Sequence, residues 1–471
     1  MHVPAALGLL LLTKLIWDTF LSPLRIFDGP LPAKATNIWR AWQAFDGHID
    51  RKYVQLHRKY GSMTRVGLNA LSISDPSMIR VIYSTRNPLK KSTAPLSQNS
   101  DSYRPNDVLL NGHRMANLFN AQDEKWHNQN IPIRNLWRMT KVLEYEPLID
   151  ETLKKFVDKI GTKFAEAIFA LLMTGLDTVI AWDVTANISF GRHYGFIDQE
   201  KDVDSLNTDS TKGLVYFAPV SQMPWVNYFL DKNPIVCIGP KPTLAGVLYA
   251  FKVAAEYQAE LKEKKVKAGS VDHTLDKYVQ LKETHPEMVN DVQIVNWLML
   301  SILAGGDTKS ATMRAAVYYL AKNADAHRKL WKDIRDLPYL DAVIRESMRL
   351  NPGIAMVFER VAPEGGYTLP DDQYIPARTK VDYGVFGGDA DGTEEYQYRH
   401  KRMNDTCDFV FRGGGRICMG RYLAMLEIKK LIATHYGTFD LRLVNPKHEG
   451  KYRNAWFVYQ SDMPMTITRW E

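Results

Sequence analysis

The residues most ready for chemistry lie together near the C-terminus, where Phe411 to Gly420 read Phe-Arg-Gly-Gly-Gly-Arg-Ile-Cys-Met-Gly. Three consecutive glycines, Gly413, Gly414 and Gly415, prescribe a backbone that other residues would follow at a cost. They allow several amides to approach one atom. That atom is the sulfur of Cys418, at the start of an amphipathic helix, where free amides and the helix dipole favour a thiolate. A deprotonated, amide-solvated cysteine in an apolar helical protein suits the axial position of haem iron. Two plainer readings compete with it. Most lone cysteines are buried and structural. A phosphate-cradling loop would need G-x-G-x-x-G or G-K-[ST], and neither is present.

A second group sits at Ala304-Gly-Gly-Asp-Thr308, in the middle of a long apolar helical pattern. Two interior glycines cost about 1 kcal/mol each relative to alanine, so the helix is weakened at one place. A bulged groove there would hold a diatomic ligand beside two proton donors, Asp307 and Thr308. The plainer reading is close helix packing at small residues. A third group is Glu346 and Arg349, three residues apart on one helix face, which by themselves form an ordinary surface pair. Eleven residues further on stands Arg360, whose planar fork suits a carboxylate.

These residues need a scaffold, and the chain supplies 471 residues, 45% hydrophobic and 24% charged. From about Glu144 to Lys322 most segments follow helical spacing, the longest running from Asp291 to Asn323. Residues 63–76 alternate as a hairpin turning at 67–70. Short strands are expected around 355–378, with a final pair at 450–460 and 463–470. The class is mainly α with a minor β region. Lys and Arg number 60 against 53 Asp and Glu, a net charge of +7 without a basic-aromatic patch, which argues against nucleic acid. Cys237, Cys407 and Cys418 are too few and scattered for a disulfide framework. The N-terminus is apolar from Val3 to Leu12 and on to Phe20, interrupted by Lys14 and Asp18. It reads as a membrane anchor over 1–22, a proline-containing hinge over 23–34 and a catalytic domain over 35–471.

The spacing F-x-x-G-x-R-x-C-x-G is met in full by Phe411, Gly414, Arg416, Cys418 and Gly420. Here the chain resembles the haem-thiolate monooxygenases, the cytochrome P-450 superfamily, over essentially its whole length. It looks most like the fungal natural-product oxygenases of the pisatin demethylase group. The resemblance implies a P-450 fold and haem b ligated by Cys418. Arg360, Arg416, Trp126 and His127 would lie on the haem, with Ala304 above it. Asp307 and Thr308 would deliver protons to dioxygen, and Glu346–Arg349 would be a buried ion pair behind the cysteine loop. Substrate would meet residues 103–115, the helix at Ala304, residues 353–358 and Phe457–Val458. It further implies electrons from NADPH through a separate P-450 reductase, with cytochrome b5 as a second donor. Docking would use Lys401, Arg402, Arg412, Arg421, Lys429 and Lys430. The setting would be the cytosolic face of the endoplasmic reticulum membrane and the substrate small and apolar.

Two departures stand out. Where the family carries Trp-x-x-x-Arg, this chain has Trp126 but Asn130, with His127 and Arg134 nearby. The aromatic-Pro-x-Arg element expected before the cysteine loop is missing from a shortened segment. Two rival readings remain: a haem-thiolate isomerase or dehydratase, which would not need Asp307 and Thr308, and a haem-poor relic without activity.

Overall fold

The computed structural model describes residues 2–83, 101–110, 113–115, 130–164, 171–172, 176–241, 244–267, 269, 272–332, 337–384, 407–413 and 417–470. Helix α1 (His2–Ile16) opens the chain and continues through a wider turn to Leu21. The stretch Pro4–Leu21 is long and apolar enough to cross a membrane. Leu9 to Leu12, Leu15 to Trp17 and Phe20 are all exposed. Lys14 and Asp18, the two charges that interrupt the apolar run, pair with each other one turn apart at 2.6 Å. The stretch that follows is fixed to the body. Leu24 and Phe27 are buried in a cluster with Leu71, Ile82 and Val381.

The main sheet has the strand order β1-β2-β4-β3. Strands β1 (Met63–Gly67) and β2 (Ala70–Ile73) form the expected hairpin, with Gly67 opposite Ala70. Strand β3 (Arg360–Val361) runs antiparallel to β4 (Lys380–Tyr383), which runs parallel to β2. This short pairing fixes where Arg360 lies.

Helices fill the rest. Helix α2 (Leu176–Phe190) is buried on all sides and packs against α4 (Asp291–Gly305) and α5 (Asp307–Lys322). Helix α3 (Leu206–Val220) lies across the cavity described below. Asn290 caps α4, its side chain accepting from the Gln293 amide at 2.9 Å, a cap worth about 1 kcal/mol. Helix α6 (Leu337–Leu350) stops before Pro352, which cannot continue a helix. Helix α7 (Arg421–Thr438) starts directly after the cysteine loop. One large core joins α2, α5, α6 and α7 through Ile180, Met313, Ile344 and Ile432. A second joins α2 and α4 to Leu244–Lys262 through Trp182, Trp297 and Val247.

Two expectations need correction. The helix expected over 291–323 is two helices, parted at Gly306. The expected final pair is also rearranged. Residues 451–461 are themselves a hairpin, β6 (Lys451–Ala455) with β7 (Phe457–Ser461), bent at Trp456 with φ +77°. Strand β8 (Pro464–Arg469) pairs instead with β5 (Phe439–Leu443). Residues 451–461 read as one strand because a tryptophan at a turn carries no turn signal.

Candidate active site

The cysteine loop closes on itself: the Cys418 amide donates to the Phe411 carbonyl at 2.8 Å, and Gly420 then leads into α7. Cys418 is exposed and lines a cavity of about 850 Å³. Burial pushes its thiol up from the ordinary value, while the Gly420 amide and the charges of Arg412 and Arg421 pull it down. The other cysteines have different surroundings. Cys407 is buried and pushed up to about 11. Cys237 is exposed, far along the chain beside Asp231.

Phe411, Gly420, Ala304, Thr308 and Arg360 line the same cavity, so one space collects residues spread over more than a hundred positions. Thr308 stands on its wall with its hydroxyl donating to the Ala304 carbonyl at 2.7 Å. Gly353, in the turn after α6, presses so closely on α5 that a Cβ there would meet the Thr308 carbonyl at 2.9 Å. Asp307 does not line the cavity. Its carboxylate accepts from Trp182 Nε1 at 3.1 Å and from Ser210 Oγ at 2.8 Å. Burial raises its pKa, against the hydrogen bonds from Ser210 and Trp182 and the charge of Arg314. The glycines before it do serve close packing. A Cβ at Gly305 would strike Thr185 at 2.8 Å, and one at Gly306 would strike the Trp182 indole at 2.5 Å. Those glycines therefore serve close packing, Gly305 also lines the cavity, and the helix breaks at Gly306.

Glu346 and Arg349 form a bidentate pair, both bonds at 2.7 Å. It is only partly buried where the resemblance implies a buried pair: the Glu346 side chain is 49% exposed and that of Arg349 20%. Of the substrate-facing expectation at 353–358, Gly353 and Ile354 reach the cavity, whereas Met356 and Val357 belong to a core around Trp456, and Phe358 to the cluster beside the sheet. Phe457 lines the cavity, bridged to Ile354. Val458 is buried elsewhere in the core. The basic docking face shrinks. Lys429 pairs with Asp341 at 2.7 Å, and Lys430 with Glu146 at 2.7 Å and Asp150 at 2.6 Å. Arg412 turns inward to the cavity. Trp126, His127, Gly414, Arg416, Lys401, Arg402 and the shortened segment over 385–406 lie outside the described residues.

Three features escaped sequence reasoning. Lys309, one residue past Thr308, is buried and donates to Glu427 of α7 and to Thr185 Oγ1 at 3.1 Å. Burial pushes Glu427 up, and Lys309 opposes this. A lysine inside an apolar helix was the available signal. Asn130, at the departure from the family pattern, accepts from Trp297 Nε1 at 2.9 Å. Ser210 links Asp307 to the cavity wall.

The cavity suits a sizeable, mostly apolar group with acidic substituents. Its volume falls within the range of organic cofactor sites, about 300–1,000 Å³. Among the described residues its lining offers the sulfur of Cys418, the guanidinium groups of Arg360 and Arg412, further cations at Arg134, Arg138, Lys309 and Arg421, and a larger share of apolar surface. Among the described residues no cluster of three or more His, Cys, Asp or Glu side chains would hold a bare metal ion. A macrocycle that brings four of its own donors and takes one thiolate fits what is present.

Comparison with known proteins agrees. A family model described as cytochrome P450 matches residues 30–387. Cytochrome P450 monooxygenase cfoH of Aspergillus candidus is 30% identical over 98% of this chain and 92% of its own length. Cytochrome P450 monooxygenase cicH of Emericella nidulans is 31% identical, covering 92% of this chain and 91% of its own. Against cytochrome P450 monooxygenase mpaDE of Penicillium roqueforti, 30% identical over 99% of this chain, the chain spans 58% of the relative's length.

Proposed function

The chain belongs to the cytochrome P450 family, and from that premise we propose that it is a haem-thiolate monooxygenase placing one oxygen atom into a small apolar substrate of fungal secondary metabolism. The reading rests on one observation: Cys418 and Thr308, from opposite ends of the sequence pattern, open onto a single apolar cavity. When bound, the haem supplies an iron that activates dioxygen. Cys418 would hold that iron, with the Gly420 amide and the Arg421 charge stabilising the sulfur. Arg360 would take an acidic haem substituent. Arg416, Trp126 and His127 are assigned to the haem by resemblance.

The proton chemistry falls to residues of α3 and α5. Thr308 presents a hydroxyl at the cavity wall, where it can pass a proton or hold a water. Asp307 stands one step back and reaches the cavity through Ser210. Its raised pKa lets the carboxyl hold a proton closer to neutrality than an ordinary aspartate, as a donor requires. The larger apolar share of the lining favours a hydrocarbon-rich substrate.

Electrons would come from NADPH through a separate P-450 reductase, with cytochrome b5 as a second donor. Helix α1, within residues 1–22, would anchor the protein to the endoplasmic reticulum, followed by the connecting stretch 23–34 and the catalytic unit 35–471 on the cytosolic side. The test is reconstitution with reductase under ¹⁸O₂. A monooxygenase transfers one labelled atom to product and stops without NADPH. Turnover that continues without NADPH would identify an isomerase or dehydratase instead.

A further inference from the structure

Arg412 occupies a backbone conformation that belongs to glycine. Its φ is +68° and its ψ −175°, a region essentially closed to side chains and costing on the order of 1–3 kcal/mol. Three glycines follow it immediately. Its side chain turns inward. Its guanidinium lies over the Phe358 ring and lines the cavity beside Tyr103, Arg360 and Cys418. Arg360 also points inward, its guanidinium 4.8 Å from the Tyr83 ring centre. Among the described residues its hydrogen bonds go to the Phe358 and Glu359 carbonyls. The adjacent acid is engaged elsewhere: Glu359 accepts from Arg40 and from Ser102, with Lys380 at 3.6 Å.

Arg412 and Arg360 thus lie close together at a cavity that Arg134, Arg138, Lys309 and Arg421 also line, and neither has a carboxylate partner among the described residues. Burial pushes Arg412 down to about 9, with Tyr103 opposing and Arg360 adding to the fall. An arginine keeps its proton in proteins, so this pair suits an anionic ligand. Meanwhile Asn130, where the family pattern named above has an arginine, is uncharged and bonded to Trp297.

We propose that Arg412 and Arg360 form a two-arginine clamp for the carboxylates of the bound haem, Arg412 standing in for the arginine absent at position 130. The proposal rests on the haem reading above, which the carbon-monoxide spectrum of the wild-type protein tests separately. A strained arginine is retained where its side chain does something glycine cannot, and holding a carboxylate through a planar fork is such a task.

The experiment follows haem transfer from full-length holoprotein to excess apomyoglobin, for wild type, Arg412→Gly and Arg412→Lys. Losing a charge-assisted bond should speed haem loss about ten- to a hundredfold in Arg412→Gly. The lysine variant should fall between. Arg412→Gly relieves the backbone, so its haem-free form should melt no lower than the wild type. Haem with both acid groups methyl-esterified should leave wild type and Arg412→Gly at the same rate. Unchanged haem loss in both variants would overturn the clamp, as would acceleration that persists with the esterified haem. A third outcome would overturn it too: intact haem retention, but loss of the spectral shift produced by laurate. That would assign the arginines to a substrate carboxylate.

Discussion

Removing the Thr308 hydroxyl should leave the thiolate spectrum and substrate binding intact, since the side chain is small and bonded to its own helix at Ala304. Oxygen activation should uncouple: NADPH is still consumed, but hydrogen peroxide appears at the expense of hydroxylated product. Asp307 acts from behind the wall, so Asp307→Asn should slow turnover, by roughly 10²–10⁴-fold for a positioned proton donor, more than it changes the peroxide ratio. Ser210→Ala should behave as a milder Asp307→Asn, because Ser210 joins the carboxyl to the cavity. Product and peroxide yields per NADPH check all three, and unchanged coupling in Thr308→Ala would remove Thr308 from the proton path. At this scale the sequence was most legible where the chemistry is contiguous. The cysteine loop is ten consecutive residues, so its residue types declare it. The Ser210–Asp307 bond spans 97 positions and Lys309–Glu427 spans 118, and no local pattern announces either.

Lys309 and Glu427 tie the helix that carries Thr308 to the helix that follows Cys418, so the two walls of the cavity share one buried ion pair. Breaking such a pair from one side leaves a buried charge and costs about 3–5 kcal/mol. Lys309→Met should therefore unfold at markedly lower denaturant, while the apolar double replacement Lys309→Met with Glu427→Leu should recover most of the loss. Equilibrium denaturation measures both, and additive losses in the double variant would show that the pair is not coupled. The junction of α4 and α5 makes a second point. Gly306→Ala would drive a methyl into Trp182, and overpacking of this kind costs about 1–3 kcal/mol. Helical spacing revealed the length of this segment and its two glycines the weak point, but not the contact with Trp182 of a different helix that leaves no room for a Cβ at 306. Strand pairing was hidden for the same reason: β8 chooses β5, some twenty residues upstream, over its nearer neighbour.

On the scale of the whole molecule, charge burial sets how the fold responds to acid. His435 is buried in α7, stacked on Phe156 with ring centres 5.3 Å apart. Burial pushes it down to about 4 from an ordinary 6.5. The folded state therefore keeps it neutral. Its contribution to stability is full above pH 6.5 and is lost as pH falls toward 4, with a slope approaching about 1.4 kcal/mol per pH unit. His435→Leu should flatten the decline in melting temperature over that window, and an unaltered pH profile would place the acid sensitivity elsewhere. The overall class, mainly helical with small sheets, was readable from periodicity. The apolar N-terminus was readable too, although the mutual neutralisation of Lys14 and Asp18 was not. The most direct test of the central claim is the spectrum of the reduced protein under carbon monoxide. The account predicts the red-shifted Soret band of a thiolate-ligated haem, lost in Cys418→Ser and kept in Cys237→Ser and Cys407→Ser. A thiolate band that survives Cys418→Ser would contradict it.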